Sequence, residues 1–414
     1  MPYYQTINSW DEFQPLRTVM VGSVFEDNFL DGIKNTTIKN GLSKILRETR
    51  EDIEYFKEVL KGNGINVIQL TPKELGYQDS ILDYTNWQTG EIGVSSPIKD
   101  FPEASNFGVN HRNIRLSRDS STGIPQPPLA IRDDALVMGD KILITQAHVY
   151  STNLSAIKYK EMFGDAVIDN SIYEKNINFR RSIKNVKSWA ERHHLSIDVE
   201  DIEELEKLQD STPLNGWCAP NLTRLGNKVL VDVWQTPEVV EEFLEPNYKN
   251  FDFHKIFIGG HNDSVFSVVR PGLVIATPWF KPYADIFKGW DIIWFDQPSW
   301  GKEVKSAINL RHNNQGCYWT PEVEENPQLE KFINDWLDNW HGQVDETIFD
   351  VNVLVLDDKH VVINSDDKNL IHQLEQRGIT PIFVPLRHRF FWDGGWHCNT
   401  LDIHRDGIQT DYNL

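Results

Sequence analysis

The sequence of 414 residues predicts a five-bladed α/β propeller, in which small ββαβ units surround a pseudo-fivefold axis. Three observations favour this fold. A tight hairpin followed by a helix and a strand recurs along the chain. Each such unit is too small to bury its own apolar face, so the units must pack against one another. A doubly wound sheet, the main alternative, alternates single strands with helices, whereas a hairpin precedes most of the helices here.

The first unit is divided between the two ends of the chain. Residues 16–22 (LRTVMVG) alternate as a strand, residues 48–61 form an amphipathic helix, and residues 65–70 form a second strand. This unit becomes equivalent to the others only if residues 400–404 pair with the first strand. We therefore expect the segment after Cys398 to close the ring.

Four further units each contain a hairpin, a helix and a strand. Their hairpins turn at Gly-Asp, Gly-Asn, Pro-Gly and Asp-Asp pairs, which are residue types common in tight turns. The predicted hairpins span residues 133–146, 222–234, 265–276 and 351–364. The helices span residues 155–163, 237–244, 282–288 and 368–377, and the closing strands span residues 165–169, 254–258, 291–295 and 381–386.

Three long segments interrupt the repeat, at about residues 71–128, 172–212 and 298–346. Such insertions in a regular scaffold lie on its surface and often carry function. We interpret the whole of 1–414 as a single domain decorated by these inserted loops.

Composition excludes several classes of protein. The net charge of -20, from 41 Lys and Arg against 61 Asp and Glu, opposes binding to nucleic acid or to an anionic membrane surface. No run of about eighteen apolar residues is present to span a membrane. The cysteines, Cys218, Cys317 and Cys398, are odd in number and widely spaced, so neither a disulfide framework nor a metal motif is expected. The sequence thus indicates a cytoplasmic protein without a cofactor.

Polar residues precede the predicted hairpins, and the entries to the hairpins face one another across the axis of a propeller. These residues are Asp133 and Asp134, Cys218 with Asn221, His261 with Asp263, Asp345 with Glu346, and Cys398. A thiol, an imidazole and several carboxylates in one cleft suit nucleophilic attack on a cationic carbon. Guanidinium is the natural cation, because its planar fork of donors pairs with carboxylates.

The candidate nucleophile lies in residues 393–400 (DGGWHCNT). Two adjacent glycines allow backbone conformations with φ > 0 and a close approach to a ligand. Cys398 follows three residues after the second glycine and would be delivered into the resulting pocket. The alternative is an ordinary turn with Cys398 as a small buried apolar residue.

These residues resemble the arginine:glycine amidinotransferases of the guanidine-modifying (pentein) superfamily. The resemblance rests on residues 387–407 (RHRFFWDGGWHCNTLDIHRDG), 8–11 (NSWD), 17–22 (RTVMVG), 132–133 (RD), 261–263 (HND) and 270–272 (RPG). It implies a five-bladed propeller that transfers an amidino group from arginine to an acceptor amine. It further implies Cys398 as nucleophile, His261 as general acid and base, and Asp133 and Asp263 as the carboxylates that bind guanidinium.

Three positions depart from the family pattern. Cys218 stands where the family has an aspartate that orients the catalytic histidine, within residues 217–221 (WCAPN). Lys281 replaces an arginine that resembles the clamp for the substrate carboxylate, which keeps the charge but loses the bidentate fork. Glu346 and its neighbour Asp345 fall near the position of a Ser-Ser pair in the family pattern. The added negative charge at this position suits an amine-rich acceptor. We expect Asp133, Asp263, Cys218, Asn221, Lys281 and Glu346 to contact substrate.

The favoured function is amidino transfer in a two-step, ping-pong cycle through an amidino-cysteine. One alternative is an arginine or guanidine hydrolase, deiminase-like or dihydrolase-like, in which water resolves the same intermediate. Another is a catalytically impaired binding homologue, because Cys218 occupies the usual aspartate position. The expected partners are arginine and a small amine or amino-acid acceptor, without nucleic acid or membrane, and a homodimer is compatible with the sequence.

Overall fold

Three-stranded sheets form the framework of the protein. The computed structural model describes residues 6–81, 126–145, 149–169, 219–233, 239–258, 261–295, 326–337, 340, 349–412 and 414. The strands in this part are β1 (Leu16–Val21), β2 (Asn66–Gln69), β3 (Ala135–Met138), β4 (Lys141–Ile144), β5 (Val167–Asp169), β6 (Leu222–Leu225), β7 (Lys228–Asp232), β8 (Asp252–Ile256), β9 (Phe266–Arg270), β10 (Leu273–Ala276), β11 (Asp291–Trp294), β12 (Leu354–Val355), β13 (His360–Ile363), β14 (Thr380–Phe383) and β15 (Thr400–Arg405).

All five sheets of the described part share one topology. Their orders are β15-β1-β2, β3-β4-β5, β6-β7-β8, β9-β10-β11 and β12-β13-β14. In each, the central strand pairs antiparallel with one neighbour and parallel with the other. A hairpin followed by a crossover to a parallel strand is the predicted unit, and the five-bladed α/β propeller is confirmed.

The first blade is closed by the C-terminal strand, as predicted. Val21 of β1 pairs antiparallel with Thr400 of β15, and Met20 pairs with Leu401. On its other edge β1 pairs in parallel with β2. Cys398 therefore lies directly before a strand that is hydrogen-bonded to the N-terminal blade.

The helices lie between the strands of the blades or in the inserted segments. The longer α-helices are α1 (Thr36–Gly62), α2 (Val149–Phe163), α3 (Pro327–Trp336) and α4 (Lys368–Gln376). A 3₁₀ helix of ten residues spans Pro278–Phe287. Short helical segments occur at Asp27–Leu30, Pro72–Leu75, Ile131–Asp134, Gly164–Ala166, Ala219–Asn221, Val240–Leu244, Glu245–Asn247, Asn262–Ser264, Phe349–Val351 and Arg389–Trp392.

Helix α1 begins at Thr36, twelve residues before the predicted start at residue 48. The side chain of Asn35 caps it by accepting from the backbone N–H groups of Thr37 and Ile38. The first turns contain β-branched residues and Gly41, which lower helix propensity and concealed the start in the sequence. Packing overrides that propensity, because Gly41 lies against Leu329 of α3, where an added Cβ would stand 2.7 Å from a leucine methyl group.

The inserted segments are described only in part. Pro72–Leu75 belongs to the first of them and α3 to the third, whereas residues 172–212 lie outside the described part. The assignment of the whole chain to one domain stays a prediction. No helix in the described ranges is long and apolar enough to cross a membrane.

A buried ionic cluster lies where three blades meet. Asp402 of β15 accepts from Arg132, Arg224 and Arg405 at 2.8, 2.7 and 2.9 Å, and all four side chains are buried. Burial alone would raise the pKa of Asp402, but the three guanidinium charges hold it well below the usual value. The Ser9 hydroxyl donates to the same carboxylate at 2.8 Å and ties the N-terminal segment to the cluster.

Candidate active site

A short helical segment or turn precedes the first strand of each blade. Ile131–Asp134, Ala219–Asn221, Asn262–Ser264 and Phe349–Val351 come directly before or within three residues of β3, β6, β9 and β12, and a turn at residues 396–399 precedes β15. These segments carry Asp133, Asp134, Asn221, Asp263 and Cys398 of the residues that the sequence predicted to converge, and His261 directly precedes one of them. The backbone N–H of Arg132 donates to the Cys398 carbonyl at 3.1 Å, and Asn262 Nδ2 donates to the Asn221 carbonyl at 3.0 Å. Neighbouring blades thus bring these segments together.

Close packing in the loop 393–400, which carries Cys398, requires a glycine at position 395. Neither Gly394 nor Gly395 adopts the φ > 0 conformation that glycine allows, and the left-handed residue of this loop is Asp393, at φ 53°. A Cβ on Gly395 would stand 2.6 Å from Asn352 Oδ1 and 2.5 Å from Asn364 Nδ2. The loop can lie against these two amides only because this position has no side chain.

Aromatic side chains fix the outer side of the loop on α1. The ring of Trp396 stacks on Phe56 with centroids 4.0 Å apart, and its Nε1 donates to the Val384 carbonyl at 2.9 Å. Trp392 Nε1 donates to Thr49 Oγ1 of the same helix at 2.8 Å. These buried contacts hold the backbone that carries Cys398.

Asn352 binds both the backbone and the thiol of the loop. Its Oδ1 accepts from the backbone N–H groups of His397 and Cys398 at 3.0 and 3.2 Å. Since those donors require an oxygen, the opposite end of the amide must be the nitrogen. Asn352 Nδ2 accordingly donates to Cys398 Sγ at 2.9 Å and to the Asp263 carbonyl at 3.3 Å.

Asp263 is the carboxylate next to the Cys398 thiol. Cys398 Sγ lies 3.4 Å from Asp263 Oδ2, and both residues are buried. Burial raises the pKa of Asp263, but the hydrogen bond and charge of His397, with the charges of His261 and Arg132, bring it below its ordinary value. Asp263 Oδ1 is buried and has no hydrogen-bond partner in the described part of the protein. An ionised carboxylate therefore presents one unused oxygen beside the thiol.

His397 is a buried imidazole between two carboxylates. Its Nδ1 is 2.7 Å from Asp263 Oδ2, and its Nε2 is 3.7 Å from Glu12 Oε2. The His397 carbonyl accepts from Arg132 Nε at 2.9 Å, so the backbone at this position is tied to the ionic cluster.

Other predicted site residues lie on the converging segments. His261 directly precedes the turn at Asn262–Ser264, is partly exposed, and is close enough to Asp263 for its charge to lower the pKa of that carboxyl. Asp133 is partly exposed and follows Arg132, and its carbonyl accepts from Thr145 Oγ1 at 2.6 Å. Asn221 is buried, and its backbone contacts the segment that carries Asp263.

The remaining predicted residues lie on other segments or outside the described part of the chain. Lys281 is exposed on the segment Pro278–Phe287, with its Nζ 5.7 Å from the ring centroid of Trp294. Cys218 and Glu346 lie outside the described residues. Asp134, which the sequence also placed near the site, is buried and accepts from Ser155 at 3.0 Å.

Two residues at the centre of the site received no role from the sequence, Asn352 and His397. The signal for Asn352 was available, because it stands two residues before β12 just as Asp133 stands two before β3. The predicted hairpin began at residue 351, whereas β12 begins at Leu354, so Asn352 was counted as part of the hairpin and attention went to Asp345 and Glu346. His397 carried no such signal, because only the folded chain shows Asp263 beside it.

Similarity to known proteins extends over the whole fold but over less of the sequence. No family model matches the chain. The amidinotransferase SxtG from Microseira wollei superposes with a TM-score of 0.58 at 17% identity, covering 99% of this chain and 100% of that chain. The inosamine-phosphate amidinotransferase StrB1 from Streptomyces griseus gives 0.59 at 15% identity, covering 99% of both. The chain has the pentein fold of the amidinotransferases.

Sequence comparison agrees with this pentein assignment. A segment of 156 residues is 28% identical to the mitochondrial glycine amidinotransferase of Xenopus laevis, covering 37% of this chain and 28% of that protein. A segment of 208 residues is 25% identical to the L-arginine:L-lysine amidinotransferase of Pseudomonas savastanoi pv. phaseolicola, covering 47% and 46%. The chain thus matches less than half the length of these curated relatives, and the resemblance to the amidinotransferases is confirmed.

Proposed function

We propose that this protein is an amidinotransferase that moves the amidino group of arginine to an acceptor amine through Cys398. The observation that carries the proposal is the contact of a buried thiol with a buried, ionised carboxylate. Cys398 Sγ is 3.4 Å from Asp263 Oδ2, while Asp263 Oδ1 has no hydrogen-bond partner among the described residues. A guanidinium bound to that carboxylate would have its electrophilic carbon next to sulfur.

Charge explains why the donor should be a cation. A thiolate beside the carboxylate of Asp263 is opposed by like-charge repulsion while the site is empty. A bound guanidinium neutralises the carboxylate and attracts the thiolate, so the nucleophile is favoured when its substrate is present. Asn352 Nδ2, at 2.9 Å from Sγ, donates a hydrogen bond that strengthens as the sulfur becomes negative.

The proposed cycle has two balanced steps. The sulfur of Cys398 forms a bond to the guanidinium carbon, the bond from that carbon to the δ-nitrogen of ornithine breaks, and His261 gives the leaving amine a proton. An acceptor amine then attacks the amidino carbon, the bond to sulfur breaks, and the proton lost by the amine returns to His261. Water in place of the amine would make the reaction a hydrolysis.

Further site assignments come from the sequence prediction. Asp133 would hold the guanidinium together with Asp263, and Lys281 would attract the donor carboxylate. Asn221, Cys218 and Glu346 would contact donor or acceptor, with Glu346 favouring an amine-rich acceptor. We also infer a cytoplasmic location, because three widely spaced cysteines form no disulfide framework and a reducing compartment keeps thiols free.

Mass spectrometry with arginine labelled in its guanidino carbon tests the proposal. Wild-type protein should gain the mass of a labelled amidino group or release ornithine, and a panel of amines should then yield labelled guanidino products. Cys398→Ala should do neither. Cys317→Ala is the matched control for loss of a thiol, because Cys317 has no proposed role, and it should retain the activity.

The outcome also separates the rival functions. Labelled citrulline or urea without any amine product would replace transfer by hydrolysis. Full turnover by folded Cys398→Ala would overturn the assignment of the nucleophile. Arginine that binds to the wild-type protein without adduct or product would identify a binding homologue.

A further inference from the structure

His397 is the neighbour of Cys398 at the centre of the site. Its side chain is buried, with one ring nitrogen against Asp263 and the other facing Glu12. Its main chain is fixed separately, by Asn352 at its N–H and by Arg132 at its carbonyl. The imidazole is therefore not needed to hold the turn, and its contacts with carboxylates require another explanation.

The hydrogen bond to Asp263 determines which oxygen of that carboxylate is available. Oδ2 already accepts from His397 Nδ1 at 2.7 Å and is contacted by the Cys398 thiol at 3.4 Å. Oδ1 has no partner within the described residues and is buried. An unpaired buried carboxylate oxygen costs free energy unless a donor reaches it. A guanidinium N–H is such a donor.

Glu12 lies on the other side of the His397 ring. Its Oε2 lies 3.7 Å from His397 Nε2, and its Oε1 lies 3.8 Å from Arg224 Nε in the ionic cluster. The ring thus connects the ionic cluster to Asp263. A rotation of the ring would break its contacts with both carboxylates.

We propose that His397 is a positioning residue that holds Asp263 Oδ2, and thereby leaves Asp263 Oδ1 aimed at the guanidinium of the donor. This inference rests on the proposed function. It predicts that the N–H at Nδ1 matters for donor binding, whereas the N–H at Nε2 matters much less. Charged and titratable groups around the pair are Glu12, Arg132, His261 and Cys398.

Two substitutions separate the nitrogens of the ring. The amide nitrogen of asparagine is as many bonds from Cβ as Nδ1, and that of glutamine as many as Nε2, so His397→Asn keeps the donor to Asp263 and His397→Gln does not. Both variants are polar and retain the backbone contacts of the turn. His397→Leu, which fills similar space without a donor, is the third variant.

Arginine affinity, measured calorimetrically in a Cys398→Ala background, tests the inference without turnover. Loss of a hydrogen bond to a charged group should weaken binding roughly ten- to hundredfold in His397→Gln and His397→Leu, with His397→Asn close to the parent. The loss should be larger at low pH, because the pKa of Asp263 rises when His397 no longer donates to it.

The result distinguishes this inference from the proposed function. No arginine binding by the parent Cys398→Ala protein would refute the proposed function itself. Normal binding by the parent and by folded His397→Gln would overturn only the positioning role. Equal losses in His397→Asn and His397→Gln would also overturn it, because a structural or purely electrostatic role would not separate the two amides. Circular dichroism of each variant confirms folding, and if His397→Leu does not fold, the two amide variants decide.

Discussion

Asn352→Asp isolates the electrostatic support of the thiolate from the structural support of the loop. The substitution preserves shape, and a carboxylate oxygen can still accept from the backbone N–H groups of His397 and Cys398. What changes is the other end of the side chain, where a donor 2.9 Å from Cys398 Sγ becomes an acceptor. We expect the pKa of the Cys398 thiol to rise in this variant.

The size of the effect is bounded by two contributions. Loss of a hydrogen bond to a charged group costs about 1.5–3 kcal/mol. Repulsion between the new carboxylate and a thiolate at the 2.9 Å separation adds at most about 6 kcal/mol with an effective dielectric constant of about 20. Protonation of the new carboxyl relieves part of that repulsion. The equilibrium between thiol and thiolate should therefore shift by at least roughly tenfold and by at most about a few millionfold.

Thiolate absorbance in the ultraviolet measures this shift directly, as the difference between each protein and the same protein carrying Cys398→Ala. Asn364→Asp is the matched control, since Asn364 is also a buried amide against Gly395 but has no hydrogen bond to sulfur among those described. Its shift should be smaller. Equal shifts in the two variants, or an unchanged titration in folded Asn352→Asp, would refute the role given to Asn352.

Three further changes test other parts of the structure. Gly395→Ala should reduce turnover at least tenfold while the protein stays folded, because the added Cβ would stand 2.6 Å from Asn352 Oδ1. The control Gly62→Ala should keep its turnover, because open space surrounds that position. Equal steady-state rates for the two variants would contradict the prediction. Asp402→Asn should lower the free energy of unfolding, measured in urea, by about 3–5 kcal/mol, because it leaves buried guanidinium charges uncompensated. The pKa of Asp402 is depressed in the folded protein, so the stability that this carboxylate provides is complete above the ordinary pKa of 3.8 and is lost as the pH falls through the folded pKa. If the loss of stability at acid pH were the same in Asp402→Asn as in the wild-type protein, this role of Asp402 would be wrong. Cys218→Asp should raise arginine turnover if this position orients His261. Lower arginine turnover of the folded variant at every pH from 6 to 10 would show that this role is wrong.

The repeat was predictable because each unit carries its own signals. The Gly-Asp, Gly-Asn, Pro-Gly and Asp-Asp turns fix the hairpins locally, and the pairing of β15 with β1 followed from the need to complete the first blade. The start of α1 was not predictable in the same way, since its first turns are stabilised by burial against α3 rather than by propensity.

The site was predictable where motif and position agreed and not where it depends on contacts between distant residues. Cys398 and Asp263 lie close together, as expected, and His261 is near Asp263. The contact between His397 and Asp263 joins residues 134 positions apart and leaves no periodicity in the sequence. The sequence indicated that the glycine pair permits an unusual backbone and a close approach. Only the structure shows that the close approach is to Asn352, and that this contact, rather than a left-handed backbone, excludes a side chain at Gly395.

Closure of the first blade by β15 also sets the order in which the protein can acquire activity. The bond between Ser9 and Asp402 joins residues 393 positions apart, so forming it requires closing a very long loop. Contacts of such long range are slow to form, and the turn that carries Cys398 is continuous with the strand that makes them. During synthesis, the other four blades can complete their sheets before β15 emerges from the ribosome. The turn that carries Cys398 should thus be assembled last, on a scaffold that is already folded.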